Sequence, residues 1–83
     1  MKDTFGERVH ITRRRRGFSQ RELANRLGMS HVTISRIERG VIKGVNSEVL
    51  RRLAEALGVS SDYLLGMTDD DEVKPRRRRV LVH

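Results

Sequence analysis

The sequence predicts an all-α protein, a compact unit of five helices followed by a charged tail. Three observations carry that prediction. Polar residues able to cap a helix, Ser19, Ser30, Asn46 and Ser60, each stand immediately before a short run. Within those runs the apolar residues recur at helical spacing, the pattern of a helix with one buried face. Glycines at 28, 40 and 58 then fall just past the end of three of these runs, and Gly17 ends the stretch before Ser19. The chain has 83 residues, near the size where a single core is only just sufficient.

Taken in order, residues 3–16 form the first expected helix. Phe5 and Val9 stand at i and i+4 and face the core, with Arg8 and the run Arg13 to Arg16 on the remaining surface. Gly17 ends this helix, and Phe18 is expected in the core ahead of the next cap. Ser19 followed by Glu22 is a capping box, opening a helix whose apolar residues are Leu23, Ala24 and Leu27. Gly28 supplies the positive φ that a sharp turn needs. Ser30 caps a third helix in which Ile34 and Ile37 share one face, while His31, Val32, Ser35, Arg36 and Arg39 turn elsewhere. Small Ala24 lets this helix cross its predecessor closely. Two short helices joined by a tight turn make helix-turn-helix geometry.

Residues 41–45 read as a loop bracketed by Gly40 and Gly44. Asn46 caps a fourth helix, Ser47 to Leu57, with Val49, Leu50, Leu53, Ala54 and Leu57 as its core stripe. Ser60 caps a short fifth helix, Ser61 to Leu65, with Asp62 in the first turn, where negative charge suits the helix dipole. Tyr63 and Leu64 are expected to seal the core. The domain is therefore drawn as 1–68. Residues 69–83 place an acidic block, Asp69 to Glu72, beside a basic one, Lys74 and Arg76 to Arg79, without core-facing periodicity, as disordered interaction tails do. Val80-Leu81-Val82 is short and β-prone.

Charge narrows the partner. The formal net charge is +7, and residues 1–40 hold ten basic against four acidic residues. The excess thus lies in the half containing the helix-turn-helix. A polyanion is the natural partner, nucleic acid ahead of a membrane surface. A basic surface serving only solubility is the bland alternative.

The residues now support a family resemblance. The chain resembles the lambda-repressor-like helix-turn-helix family, the phage repressor and Cro class of DNA-binding proteins, over roughly Phe5 to Met67. Gln20, Leu23-Ala24, Leu27-Gly28, Ile34, Ile37-Glu38 and Gly40 carry the likeness, together with residues 53–66, LAEALGVSSDYLLG. The chain departs from the family at Thr12, where an aliphatic residue usually stands, with Ile11 one step off the stripe. That leaves either a rotated first helix or an Ile11 turned to a partner.

The resemblance implies a five-helix fold and a transcriptional regulator, a repressor by type, that reads double-stranded DNA with helix 31–39 in the major groove. Each base pair there presents its own pattern of donors, acceptors and methyl groups. His31, Val32, Ser35 and Arg36 are the base-reading candidates. Arg36 can fork onto guanine, Val32 can meet a thymine methyl, and His31 can serve a base edge, a phosphate or nothing. Gln20, Ser30, Thr33, Arg39 and Lys43 are the phosphate candidates, with Gln20 at a helix start that favours anions. Ser30 is already committed as a cap, and Lys43 reads equally as an ordinary exposed lysine. Arg13 is placed to reach Glu38 as a structural ion pair, while Arg14, Arg15 and Arg16 are expected in solvent, with one of them near a phosphate as the alternative. The family pattern implies a homodimer on a near-palindrome, its half-sites about 10 base pairs apart. Leu65 and its flank are candidates for that contact.

Other classes fare less well. An antitoxin or adaptor using the same fold to hold a protein, through the tail or Ile11, is the rival. Single-strand or RNA binding lacks stacking platforms, since Phe5, Phe18 and Tyr63 all look buried. His10, His31 and His83 show no metal-ligand spacing and no nucleophile stands beside a base, so no enzyme, cofactor or metal is expected. Zero cysteines fit a cytoplasmic protein, and no apolar run is long enough for a transmembrane helix.

Overall fold

The computed structural model describes residues 3–69, and among them all regular structure is helical. The helices are α1 (Phe5–Arg15), α2 (Gln20–Leu27), α3 (His31–Glu38), α4 (Ser47–Leu57) and α5 (Ser61–Leu64). Four of the five starts follow the caps read from sequence. Ser19, Ser30, Asn46 and Ser60 each accept a backbone N–H from the first turn with the side chain, and Ser19 and Glu22 complete a reciprocal box. The fifth start differs from expectation. Thr4 and Glu7 form a second capping box, so α1 begins at Phe5 rather than residue 3 and ends at Arg15. α5 likewise stops at Leu64, one residue early.

Val9, Leu23, Leu27, Ile34, Ile37, Leu53, Leu57 and Leu64 are buried together as the centre of one core, each worth about 1.5–3 kcal/mol of burial. Phe5, Phe18, Val49 and Leu50 pack against its edge and are only partly buried. Thr12 lies fully inside, at the place an aliphatic residue usually takes. The first helix is therefore not rotated, and Ile11 points to the surface. The Thr12 hydroxyl has no hydrogen-bond partner among the described residues, a small penalty written into the sequence.

Two arginines expected on the open surface carry structural bonds, and one of them is interior. Arg8 is buried: its Nη1 donates to the carbonyls of Tyr63 and Thr68, each at 3.0 Å, and its Nη2 to Asp69 at 2.8 Å. Its guanidinium also sits 4.6 Å from the centre of the Tyr63 ring. Asp69, expected to open a free tail, is thus tied to α1. Arg16 is exposed, but its Nε donates to the Leu57 carbonyl at 2.8 Å and so caps α4 at its C-terminal end. Orphan carbonyls there needed a donor, which the order of residues along the chain does not reveal.

Gly6 has a role that sequence reasoning missed. A Cβ built on it would overlap the carbonyl oxygen of Ile37 and lie 3.0 Å from that of Glu38. Only a glycine lets the start of α1 lie this close to the end of α3. No helix among the described residues is long and apolar enough to cross a membrane. The acidic and basic blocks beyond Asp69, the segment Val80–Val82 and His83 lie outside the described residues.

Candidate nucleic-acid interface

α3 is held from behind and left open in front. Ile34 and Ile37 are both essentially inaccessible, while Val32 and Arg36 on the opposite side are exposed. Val32 is 44% exposed, unusual for a valine in the first turn of a helix packed this firmly. His31 and Ser35, one flank round, are half-buried. Helical spacing accounts for the arrangement: 32 and 36 are one turn apart, and 34 and 37 fall on the far side. The Ser30 hydroxyl accepts from the Val32 N–H at 3.0 Å and is used as a cap. Thr33 is half-buried beside it.

At its other end α3 is tied to the following loop. The Arg36 carbonyl accepts from the N–H groups of Val41 at 2.9 Å and Ile42 at 3.2 Å. Arg39 and Lys43 are exposed on this turn and loop, so cationic side chains flank the C-terminal end of α3.

A polar cluster behind α3 joins three helices. Glu38 is its centre, with a side chain only 4% exposed. Arg13 grips it through Nε to Oε2 at 2.6 Å and Nη2 to Oε1 at 3.2 Å, the fork that guanidinium and carboxylate favour. The remaining Arg13 nitrogen, Nη1, donates to the Phe18 carbonyl at 2.7 Å. His10 Nδ1 lies 2.9 Å from Glu38 Oε1, and the Gln20 amide donates to the same oxygen at 3.1 Å. Burial alone would push the Glu38 carboxyl up. The hydrogen bonds from Arg13, His10 and Gln20 outweigh burial and hold it below the usual carboxylate range.

Gln20 therefore has two demands on its amide. One N–H is given to Glu38, and the other, with the open backbone at the start of α2, remains available to an anion. His10 had drawn no role from sequence, because the carboxylate it meets, Glu38, stands 28 residues away along the chain. Among the described residues no group of three or more His, Cys, Asp or Glu side chains could hold a metal ion.

An inward-anchored third helix with an exposed, mixed polar and apolar front defines a lambda-repressor-like helix-turn-helix domain. The chain belongs to the helix-turn-helix family, which matches residues 9–64. That is a family of DNA-binding transcription regulators and not of enzymes.

Among curated relatives the chain is similar to the HTH-type transcriptional regulator ImmR of Bacillus subtilis, with 30% identity over 80 residues. The match takes in 96% of this chain but 60% of ImmR, so the chain spans about three fifths of that relative. Among solved structures it is similar to the P22 c2 repressor in complex with a synthetic operator. The TM-score is 0.70 at 38% identity, covering 76% of this chain and 94% of the repressor chain. SinR, described as a master regulator for biofilm formation, in complex with DNA gives a TM-score of 0.70 at 30% identity, covering 74% and 97%.

Proposed function

We propose that the chain is a sequence-specific regulator of transcription, a repressor by type, that places α3 in the major groove of double-stranded DNA. The observation that carries this reading is the exposed pair Val32 and Arg36, set on a helix whose opposite face is sealed into the core. An apolar and a cationic side chain one turn apart suit a thymine methyl beside a guanine edge. His31 and Ser35 complete the reading set. Gln20, Ser30, Thr33, Arg39 and Lys43 are the phosphate set, which positions the helix without specifying sequence. The Arg13–Glu38 pair has a structural role in this reading, fixing α3 on α1. The relatives support the reading, since the P22 c2 repressor and SinR structures are DNA complexes.

In this reading two copies bind a near-palindrome, with exposed Leu65 and its neighbour Met67 at the two-fold contact. Residues 1–68 are the DNA-binding unit, residues 69–83 a charged appendage open to a protein partner, and the site of action is the cytoplasm. The test is selection of bound duplexes from a random pool. A recovered two-fold site with half-sites about one helical turn apart is expected, with affinity falling steeply as salt rises. Arg36→Ala should then cost roughly 1–3 kcal/mol and relax preference at one base pair, whereas Lys43→Ala should weaken all sequences alike. An unchanged preferred sequence in Arg36→Ala would contradict the assignment of the reading face.

The second reading, an antitoxin- or adaptor-type interaction module, draws on the exposed apolar side chains Ile11, Leu65 and Met67. It predicts one stoichiometric protein partner and no protected site on any duplex.

A further inference from the structure

We propose that His10 is a further DNA-phosphate ligand acting beside Gln20, so that binding DNA draws a proton onto this chain. The inference rests on the DNA-binding reading above, in which the start of α2 faces a phosphate.

Three observations carry it. First, Glu38 Oε1 is shared: His10 Nδ1 stands 2.9 Å from it and the Gln20 amide nitrogen 3.1 Å. Gathered on one carboxylate oxygen, the two side chains are neighbours at the edge of one cluster, and the phosphate taken by Gln20 is assigned to both. Secondly, the ring is half in and half out. Its side chain is 45% exposed against 4% for Glu38, so the inner edge is anchored and the outer edge is open. Thirdly, the ring nitrogens are used unequally. A carboxylate only accepts, so the 2.9 Å bond to Glu38 places the proton on Nδ1, and Arg13 Nη2 at 3.3 Å is then a neighbouring charge rather than a donor to it. Nε2 has no hydrogen bond among the described residues and is then the bare, accepting nitrogen.

A phosphate presents only acceptors. A neutral His10 with its proton on Nδ1 would therefore meet it lone pair to lone pair. Protonation at Nε2 turns this opposition into a charge-assisted hydrogen bond while leaving the bond to Glu38 in place. The charged groups facing the ring are Glu38 on α3, which favours the imidazolium, and Arg13 on α1, whose Nη2 lies 3.3 Å from Nδ1 and opposes it. Gln20 on α2 is neutral. An incoming phosphate adds the anion that favours proton uptake.

The test measures affinity of the whole 83-residue chain for the duplex recovered by selection, from about pH 8.5 to about pH 5.5 at constant ionic strength. Wild type is expected to bind roughly tenfold more tightly at the acidic end, the scale of one charge-assisted hydrogen bond. His10→Gln keeps a donor for Glu38 but cannot charge, and its pH dependence should be shallower by that factor. His31 and His83 are common to both proteins, so the difference between them isolates position 10. His10→Lys is charged throughout this range and should bind tightly at both ends. At the acidic end the salt dependence of wild type should exceed that of His10→Gln by about one phosphate contact, which a purely structural role would not produce. Thermal melts of both variants establish that each is folded under the conditions used. Equal pH dependence in wild type and folded His10→Gln would overturn the proposal while leaving the DNA-binding reading intact. No binding to any duplex at any pH would instead sink the reading beneath it.

Discussion

Arg8 and Arg13 leave the same helix five residues apart, and both are withdrawn from solvent, but they are neutralised in opposite ways. Arg13 meets a carboxylate as buried as itself, fixed on α3, in a bidentate fork. Arg8 meets two backbone carbonyls, the face of a tyrosine and a carboxylate that is 95% exposed. The first is a charge pair inside the protein, and the second is a charge held by dipoles with its counter-ion in water. The two should therefore fail differently. Removing half of an enclosed pair strands the other half, whereas removing an exposed counter-ion lets water take its place.

The sharpest break in that comparison is Arg13→Met, which leaves Glu38 buried without its main partner. It should cost about 3–5 kcal/mol in urea unfolding, and the double variant Arg13→Met, Glu38→Met should recover most of the loss. A double variant no more stable than Arg13→Met would refute the stranded-charge account. The pair also has a pH signature. Because the folded carboxyl of Glu38 is held below its unfolded value, its stabilisation is fully present above about pH 4.3. That contribution is lost as pH falls through the lowered folded value, so acid unfolding monitored by circular dichroism should lose one step in Glu38→Gln.

Next in size is Gly6→Ala, where the methyl must displace backbone at the end of α3 rather than a pliable side chain. A loss of about 1–3 kcal/mol in thermal or urea unfolding is expected, although alanine is the better helix former at an open site. A stabilised Gly6→Ala would show that α1 and α3 are not in contact there. The smallest effect belongs to Asp69→Asn, at the exposed partner of Arg8. It should change stability by less than about 1 kcal/mol and fade in salt. A cost as large as that of Arg13→Met would erase the contrast between the two arginines.

Where sequence reasoning succeeded and where it stopped follows the range of the interactions involved. Caps act over three residues, so Ser19 with Glu22, Ser30, Asn46 and Ser60 could be read directly, and Thr4 with Glu7 carries the same short signature. The outward placing of Val32 and Arg36 follows from counting around α3 against Ile34 and Ile37. Arg8 was sent to the surface because charged residues are usually there, and Arg16, which is exposed as expected, was given no partner. Their acceptors, the carbonyls of Tyr63, Thr68 and Leu57, belong to every residue type alike and leave no mark in the sequence. Gly6 is silent for a similar reason: what it avoids is backbone, 31 and 32 residues further along the chain.

The sequence by itself determined that residues 3–69 make five short helices, where four of them begin, and which side of the third carries Val32 and Arg36. Those properties come from local hydrogen bonds and from the turn of a helix, both complete within a few residues. Only the tertiary structure decided that Arg8 is interior, that Gly6 sets the approach of α1 to α3, and that His10 and Gln20 share one oxygen of Glu38. Each of these depends on which helices come to lie side by side, and packing settles that for the chain as a whole.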